Sequence, residues 1–456
     1  MKRLIGFSTA LALPLALAAC PADDTGDDTG ANTTTATDTG MTSEPTTAGD
    51  ETATTGDVPA GCVGADGPRM EVALAIDGDT TLTCDTVWVL SGITFVNSGT
   101  LTIEPGTTIA GGAGSALVVD KGARIDAEGT AEAPIVMTSV TALDGNGARG
   151  DWGGLALLGE ATVNLDGGSG VAEGFASDPP TYGGSNDGHD CGVLSYVRVE
   201  WAGNEISPGN ELNGITFYAC GTATRVDHVQ AHMGLDDGLE MFGGSFEASY
   251  VVVTGAADDS LDMDQGFTGT VRNVFIHQDP ATGDNCLEWS NQGSDFAATP
   301  LTSPTVENMT CVGSGTGGDS SKGVTLKEGT QATIRNSLFA NITNDGAVLA
   351  NQATQAQAEG GSISFAGSHF CGTNTVSVDT DAEDPDPPGW MSADFETWLF
   401  GDGGATNGTD CMLTDATFGA PDVTPAASIA GDGGFAGAVD AGAENWTLEG
   451  WINYAF

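Results

Sequence analysis

A six-residue phrase recurs in this chain with its acidic residues in fixed places. Asp236-Asp237-Gly238-Leu239-Glu240-Met241 is followed by Asp258-Asp259-Ser260-Leu261-Asp262-Met263, then by Asp284-Asn285-Cys286-Leu287-Glu288-Trp289. The three leucines are 22 and 26 residues apart. A period this short, built from strand-like pieces, describes a solenoid whose coils stack on one another. Further phrase strands start at Ile215, Val324 and Ala347, and second strands are anchored at Val226, Ala248, Val271, Val306 and Ile334. A propeller blade needs about 40 residues per repeat. A β-sandwich does not repeat near-identical phrases at this spacing. The expected fold is therefore all-β: a right-handed parallel β-helix.

Two positions after the second-strand anchors stand His228, Tyr250, Asn273, Asn308 and Asn336. The last three predict an asparagine ladder, with side-chain amides bonding from coil to coil. Leu101–Ile109 and Leu117–Ile125 are near copies, with Gly106 and Gly122 at corners that call for positive φ. Helical stripes are scarce. Residues 291–320 and 379–404 interrupt the repeat as loops, the second carrying Pro385, Pro387, Pro388, Trp390 and Trp398.

The first residues carry an address. Lys2 and Arg3 precede a short apolar run, Leu4 to Leu17, which is too short for an ordinary membrane span. It ends in Leu17-Ala18-Ala19-Cys20, which resembles a bacterial lipobox. That resemblance implies a signal peptide over 1–19, cleaved before Cys20, and lipidation of the Cys20 thiol. Residues 20–60 are Thr, Gly, Asp, Ala and Ser with few large apolar residues and no Lys or Arg. Such a segment cannot bury enough surface to offset its ordering entropy, and its carboxylates repel. It is expected to be a disordered tether between the anchor and a β-helix domain spanning 61–456. The address predicts an exported protein on the outer membrane or cell surface, held to the membrane by acyl chains.

The formal net charge is -51, from 12 basic and 63 acidic residues. Nucleic-acid binding is excluded as a partner class, because phosphate neutralisation needs Lys and Arg. Cation binding, or solubility in a salty medium, fits better. Eight cysteines remain beyond Cys20, an even number that reads as disulfides in an exported chain. The simplest pairing joins neighbours: Cys62-Cys84, Cys191-Cys220, Cys286-Cys311 and Cys371-Cys411. No C-x-x-C occurs, so zinc is not indicated.

Three stretches carry a wider resemblance. They are Gly150-Asp151-Trp152-Gly153-Gly154-Leu155, the run from Leu194 to Gly203, and the phrase from Asp236 to Gly244. With the close from Ala443 to Trp451, the chain resembles a family of bacterial cell-surface β-helix lipoproteins over most of residues 80–456. The resemblance implies fold and location. It supplies no catalytic residues. Trp152, Trp446, Trp451, Tyr454 and Phe456 are read as an aromatic cap closing the solenoid rather than a sugar platform.

Stacking puts the phrase carboxylates in columns. Asp236, Asp258 and Asp284 form one. Asp237 and Asp259 continue to Asn285 and Lys322 in a second, and Glu240, Asp262 and Glu288 form a third. Coils about 4.8 Å apart make neighbouring carboxylates repel by roughly 3–4 kcal/mol at an effective dielectric of 20, and about 1 in water. Solvation relieves this on an open face. Ca²⁺, which takes six to eight oxygens, relieves it in a groove. The candidate Ca²⁺ ligands are Asp236, Asp237, Glu240, Asp258, Asp259, Asp262, Asp284 and Glu288. No EF-hand is present. The expected function is a surface binding or structural module, Ca²⁺-stabilised, with a glycan or surface protein as ligand. The alternative is a polysaccharide-active enzyme. A glycosidase would use two of Asp236, Asp237, Asp258 and Asp259, and a lyase would use Lys322 as base. His232 and His277 align two coils apart, too far to share a metal.

Overall fold

The computed structural model describes residues 61–456 apart from 176–177, 208–209, 314–320, 373 and 380–385. The signal peptide, Cys20 and the 20–60 linker lie outside the described residues. Parallel strand pairs dominate. Ile215, Leu239, Leu261, Leu287, Val324 and Ala347 pair in one unbroken register. Leu155 and Leu117 extend that face toward the N-terminus. The second strands stack as expected through Leu194, Val226, Ala248, Val271, Val306 and Ile334. The chain is a right-handed parallel β-helix. Alternation along each strand fills its interior: Leu239, Met241, Leu261, Met263, Leu287 and Trp289 are all 0 % exposed.

Each second strand turns a corner at a single residue. Tyr196, His228, Tyr250, Asn273, Asn308 and Asn336 all have φ between 50° and 56°. Asparagine tolerates this left-handed backbone best, while tyrosine and, to a lesser degree, histidine are strained in it. Their rings compensate by stacking: His228 lies 4.2 Å from Tyr196 and 4.4 Å from Tyr250. The corner divides the strands into two faces, so with the phrase face the coil has three. Among the described residues the amides do not bond from coil to coil as a ladder would. Asn308 donates to the Phe435 and Gly437 carbonyls at 3.0 and 3.3 Å, and Asn336 accepts from the Asp432 N–H at 2.6 Å. What the column shares is a backbone shape.

The early near copies are not stacked repeats. Leu101 pairs with Ile125, and Leu117 with Thr94, so the similarity relates strands on different faces. Gly106 has φ 78°, whereas Gly122 has no positive φ. The four disulfides join the expected neighbours, with Cα–Cα separations of 4.6, 5.7, 6.3 and 5.5 Å.

The aromatic tail is not an end cap. Trp446, Trp451 and Ile452 pack along the flank, on the outward-facing Val252, Phe275 and Val312. Trp152 is fully buried inside the coil and donates its indole N–H to the Glu200 carbonyl at 2.9 Å. The last phrase-face strand, Thr375–Val378, is instead covered by the helix Ser392–Leu399, which buries Phe395 and Leu399 in the core. The segment read as a loop interruption therefore closes the solenoid. Its apolar helix positions were masked in the sequence by the prolines before them.

Candidate functional site

The phrase face carries the acidic columns outward, because Leu and Met two residues apart take the interior. Glu240, Asp262 and Glu288 are strand neighbours in register. Asp236, Asp237, Asp258, Asp259 and Asp284 sit in the turns that lead into the strands. All eight candidate ligands come together. They form four overlapping triads: Asp236/Asp237/Asp258, Asp237/Glu240/Asp262, Asp258/Asp259/Asp284 and Asp259/Asp262/Glu288. Within each triad, one oxygen from every residue lies within 4.8 Å of the others. The second pair repeats the first, one coil later.

A hydrogen-bonded ladder holds the turns in line. The Asp237 N–H donates to Asn213 Oδ1 at 3.2 Å, and the Asp259 N–H to Asp237 Oδ1 at 2.9 Å. The Asn285 N–H and Nδ2 both donate to Asp259 Oδ1, at 2.6 and 2.8 Å. Each side chain thus caps the backbone of the next coil. This gives the paired aspartates a structural reason to recur. It also consumes one oxygen of Asp237 and one of Asp259 and leaves their second oxygens to the triads.

The floor is buried and the rim is not. Asp237, Glu240 and Asp259 are 6, 7 and 4 % exposed, while Asp258 reaches solvent. Burial and then neighbouring carboxylates push Asp237, Glu240 and Asp259 well above the usual carboxylate range. Asp262 is raised in the same way, by burial and then Glu288. Burial and Asp258 raise Asp236 to about 8, and burial with Glu288 and Asp284 raises Asp258 to about 6. Asp262 Oδ1 and Asp284 Oδ1 are shielded from solvent and take no hydrogen bond among the described residues.

Four further groups complete the site. Glu173 comes from the excursion over 159–190; it hydrogen-bonds Glu240, and burial raises it to about 7. Asp264 sits two residues beyond Asp262, raised to about 8 by burial and then Glu328. Asn213 donates to Glu240 Oε2. Lys327 pairs with Glu288 at 2.6 Å, beside the expected Lys322, which pairs with Asp284 at 3.0 Å. Burial works against the charge of both lysines, but their carboxylate partners outweigh it and raise them. Asn213, Asp264 and Lys327 were findable by extending the register from Ile215, Leu261 and Val324. Glu173 had no signal, because its loop carries no repeat.

Such an arrangement suits a hard cation. The donors are all carboxylate oxygens, with no histidine or cysteine to select a softer metal. His232 and His277 lie on another face, in register through Thr254, and neither belongs to a triad.

Fold and site together define a solenoid of the parallel β-helix class with an acidic face that two lysines compensate only at one end. Residues 74–418 match the family model of a pectate-lyase-like β-helix domain, and the chain belongs to that family. No curated protein and no solved structure matches it.

Proposed function

We propose that this is a lipid-anchored surface protein whose β-helix is a cation-binding module. Cys20 carries the anchor, residues 20–60 lift the domain from the outer membrane, and the acidic face takes divalent cations, Ca²⁺ first. The observation that carries this reading is the set of four overlapping triads, with two buried carboxylate oxygens that have no donor among the described residues. Cations there stabilise the stacked coils and bridge to an oxygen-rich ligand, a glycan or a surface protein.

A second reading, an enzyme acting on polysaccharide, is favoured by the pectate-lyase-like family. Fold analogy alone is a weak warrant for chemistry. A lyase needs a neutral base, whereas Lys322 is held charged by Asp284. Every Lys and Arg among the described residues except Lys121 is in an ion pair, so a polyanionic substrate would find one unpaired cation among them. The binding reading is therefore preferred.

Thermal melting with and without Ca²⁺ tests it. Saturation to about 100 times Kd stabilises a one-site protein by about 2.7 kcal/mol. The expected result is a raised midpoint that chelator reverses and that Asp259→Asn with Asp262→Asn abolishes. An unchanged midpoint overturns the cation reading. Release of reducing ends or unsaturated products from a glycan panel, lost in Asp259→Asn or Lys322→Ala, overturns the preference for a binding module.

A further inference from the structure

The last coils carry a second cleft, which shares no residue with the acidic triads. The helix Ser392–Leu399 places Asp394, Thr397 and Trp398 on one side, at the three- and four-residue spacing that shares a helix face. With Trp390, Glu359 and Asp402 they line a cleft of about 660 Å³. That size suits a small ligand.

This cleft is built rather than incidental. Phe395, fully buried, backs both indoles, its ring centroid 6.4 Å from Trp390 and 6.0 Å from Trp398. Gln355 is 5 % exposed. Its Oε1 accepts the Gly389 and Trp390 N–H groups at 2.8 and 3.0 Å, and its Nε2 donates to Glu359 Oε1 at 2.8 Å. One buried amide thus positions an aromatic and a carboxylate of the cleft wall.

Its polar groups are only partly engaged: Glu359 and Asp394 each accept a hydrogen bond, from Gln355 Nε2 and the Met391 N–H, on one carboxylate oxygen. The indole N–H groups of Trp88, Trp152, Trp446 and Trp451 each donate to a protein oxygen. Those of Trp390 and Trp398 have no acceptor among the described residues, as is also true of Trp201 and Trp289, and Asp402 has no donor among them; in the cleft the two indoles are part-exposed and so can be reached by a ligand. The two indoles lie 5.9 Å apart at 37°, so they present two inclined apolar surfaces. No lysine or arginine lines the cleft.

We propose that this cleft binds a glycan through a pyranose ring of a neutral or amino sugar. Hydroxyl groups both donate and accept, so one ring meets the free indole donors and the carboxylate acceptors together. Its C–H face packs on an indole. A bare ammonium ion would satisfy the carboxylates but accept nothing from the indoles. Uronic acids are refused, because Glu359, Asp394 and Asp402 repel them with no cation to intervene. On the anchoring proposed above, this coil is the end farthest from the membrane.

Tryptophan fluorescence and ligand-detected NMR on the full chain in detergent test the proposal. The probes are cello-oligosaccharides, chitin and chitosan oligosaccharides, and oligogalacturonate. Binding of a neutral or amino oligosaccharide, without oligogalacturonate, is expected. Chitin against chitosan shows whether a free amine contributes. Trp398→Ala and Trp390→Ala lower affinity by about tenfold or more, and Asp402→Asn lowers it by a few-fold at an unchanged melting midpoint. Chelator leaves it unchanged, which separates this cleft from the cation face. If Trp398→Ala does not fold, Trp390→Ala and Asp402→Asn decide. No binding of any neutral or amino oligosaccharide at millimolar concentration overturns the proposal. So does binding that none of these variants weakens.

Discussion

Two faces of the same coils stack charged residues, and they do so in opposite ways. On the second-strand face Arg272, Glu307 and Arg335 stack in register with alternating sign, and Glu247 reaches Arg272 diagonally from the strand before. Arg272 bridges Glu247 and Glu307 at 3.3 and 3.0 Å, and Arg335 joins Glu307 to Asp432 at 3.2 and 3.4 Å. That column is half-exposed and neutralises itself. On the phrase face eight carboxylates gather, with Lys322 and Lys327 at one end, and much of the floor is buried. The same solenoid therefore had a ready means of pairing stacked charge and did not use it on the phrase face. Solubility explains exposed excess charge, but it does not explain carboxylates placed out of water.

The comparison can be broken most severely at Lys327. Lys327→Met leaves Glu288 shielded and unpaired, and should cost about 3–5 kcal/mol in denaturant unfolding without Ca²⁺. A cost near zero would show that the phrase face is effectively solvated like its counterpart. Next is Asp259. Asp259→Ala removes the acceptor of two Asn285 donors and should cost about 1–3 kcal/mol. Asp259→Asn keeps an oxygen for that ladder and removes a charge, so without cation it should match or exceed the parent. Equal losses in both variants would mean that charge, rather than the ladder, is what Asp259 supplies.

A pH series gives a smaller and broader effect. Asp236 and Asp264 are raised to about 8 and Asp258 to about 6, against 3.8 for an unperturbed aspartate. The folded state therefore holds protons that the unfolded state has released. Their contribution is complete below pH 3.8 and is lost as pH rises through 6 and 8. Without cation, melting at pH 5 should exceed melting at pH 8, and Ca²⁺ should narrow the gap. A midpoint that climbs steadily from pH 5 to 8 would contradict this. The smallest change belongs to the balanced column: Arg272→Ala should cost less than about 1 kcal/mol, and less still at high salt.

Where a residue's role depends on what lies one coil away, the sequence was readable. The phrase leucines from Leu239 to Leu287, most of the second-strand anchors and three of the four cysteine pairs are separated by about one coil, so spacing alone places them; Cys371 and Cys411, 40 residues apart, were placed only as neighbours in the cysteine order. Asn213 and Lys327 obey the same rule and needed only a longer alignment. Roles that depend on contacts between unrelated segments were not readable. Asn308 and Asn336 look like ladder residues until residues 432–437 are seen lying against them. Trp451 looks like a plug because nothing local says that Val252 and Phe275 point outward beneath it. Glu173 reaches Glu240 from a loop with no period. The helix at Ser392–Leu399 is two turns long, too short for its apolar stripe to outweigh its neighbouring prolines.

The flank strap has a consequence for how the molecule is made and unmade. A plain solenoid has only neighbour-to-neighbour contacts and can fray from either end. Here Arg198 donates to the Trp451 carbonyl, Gln230 exchanges two bonds with Asn453, and His232 meets the Ala455 carbonyl, across 223–253 residues of chain. Middle coils therefore stay unfastened until residues 435–455 have been synthesised and laid down, a late and entropically demanding step. Once fastened, those coils open together. Native-state hydrogen exchange should show strands from 192 to 340 sharing one opening free energy, whereas graded protection from coil to coil would mean the strap is only ornament.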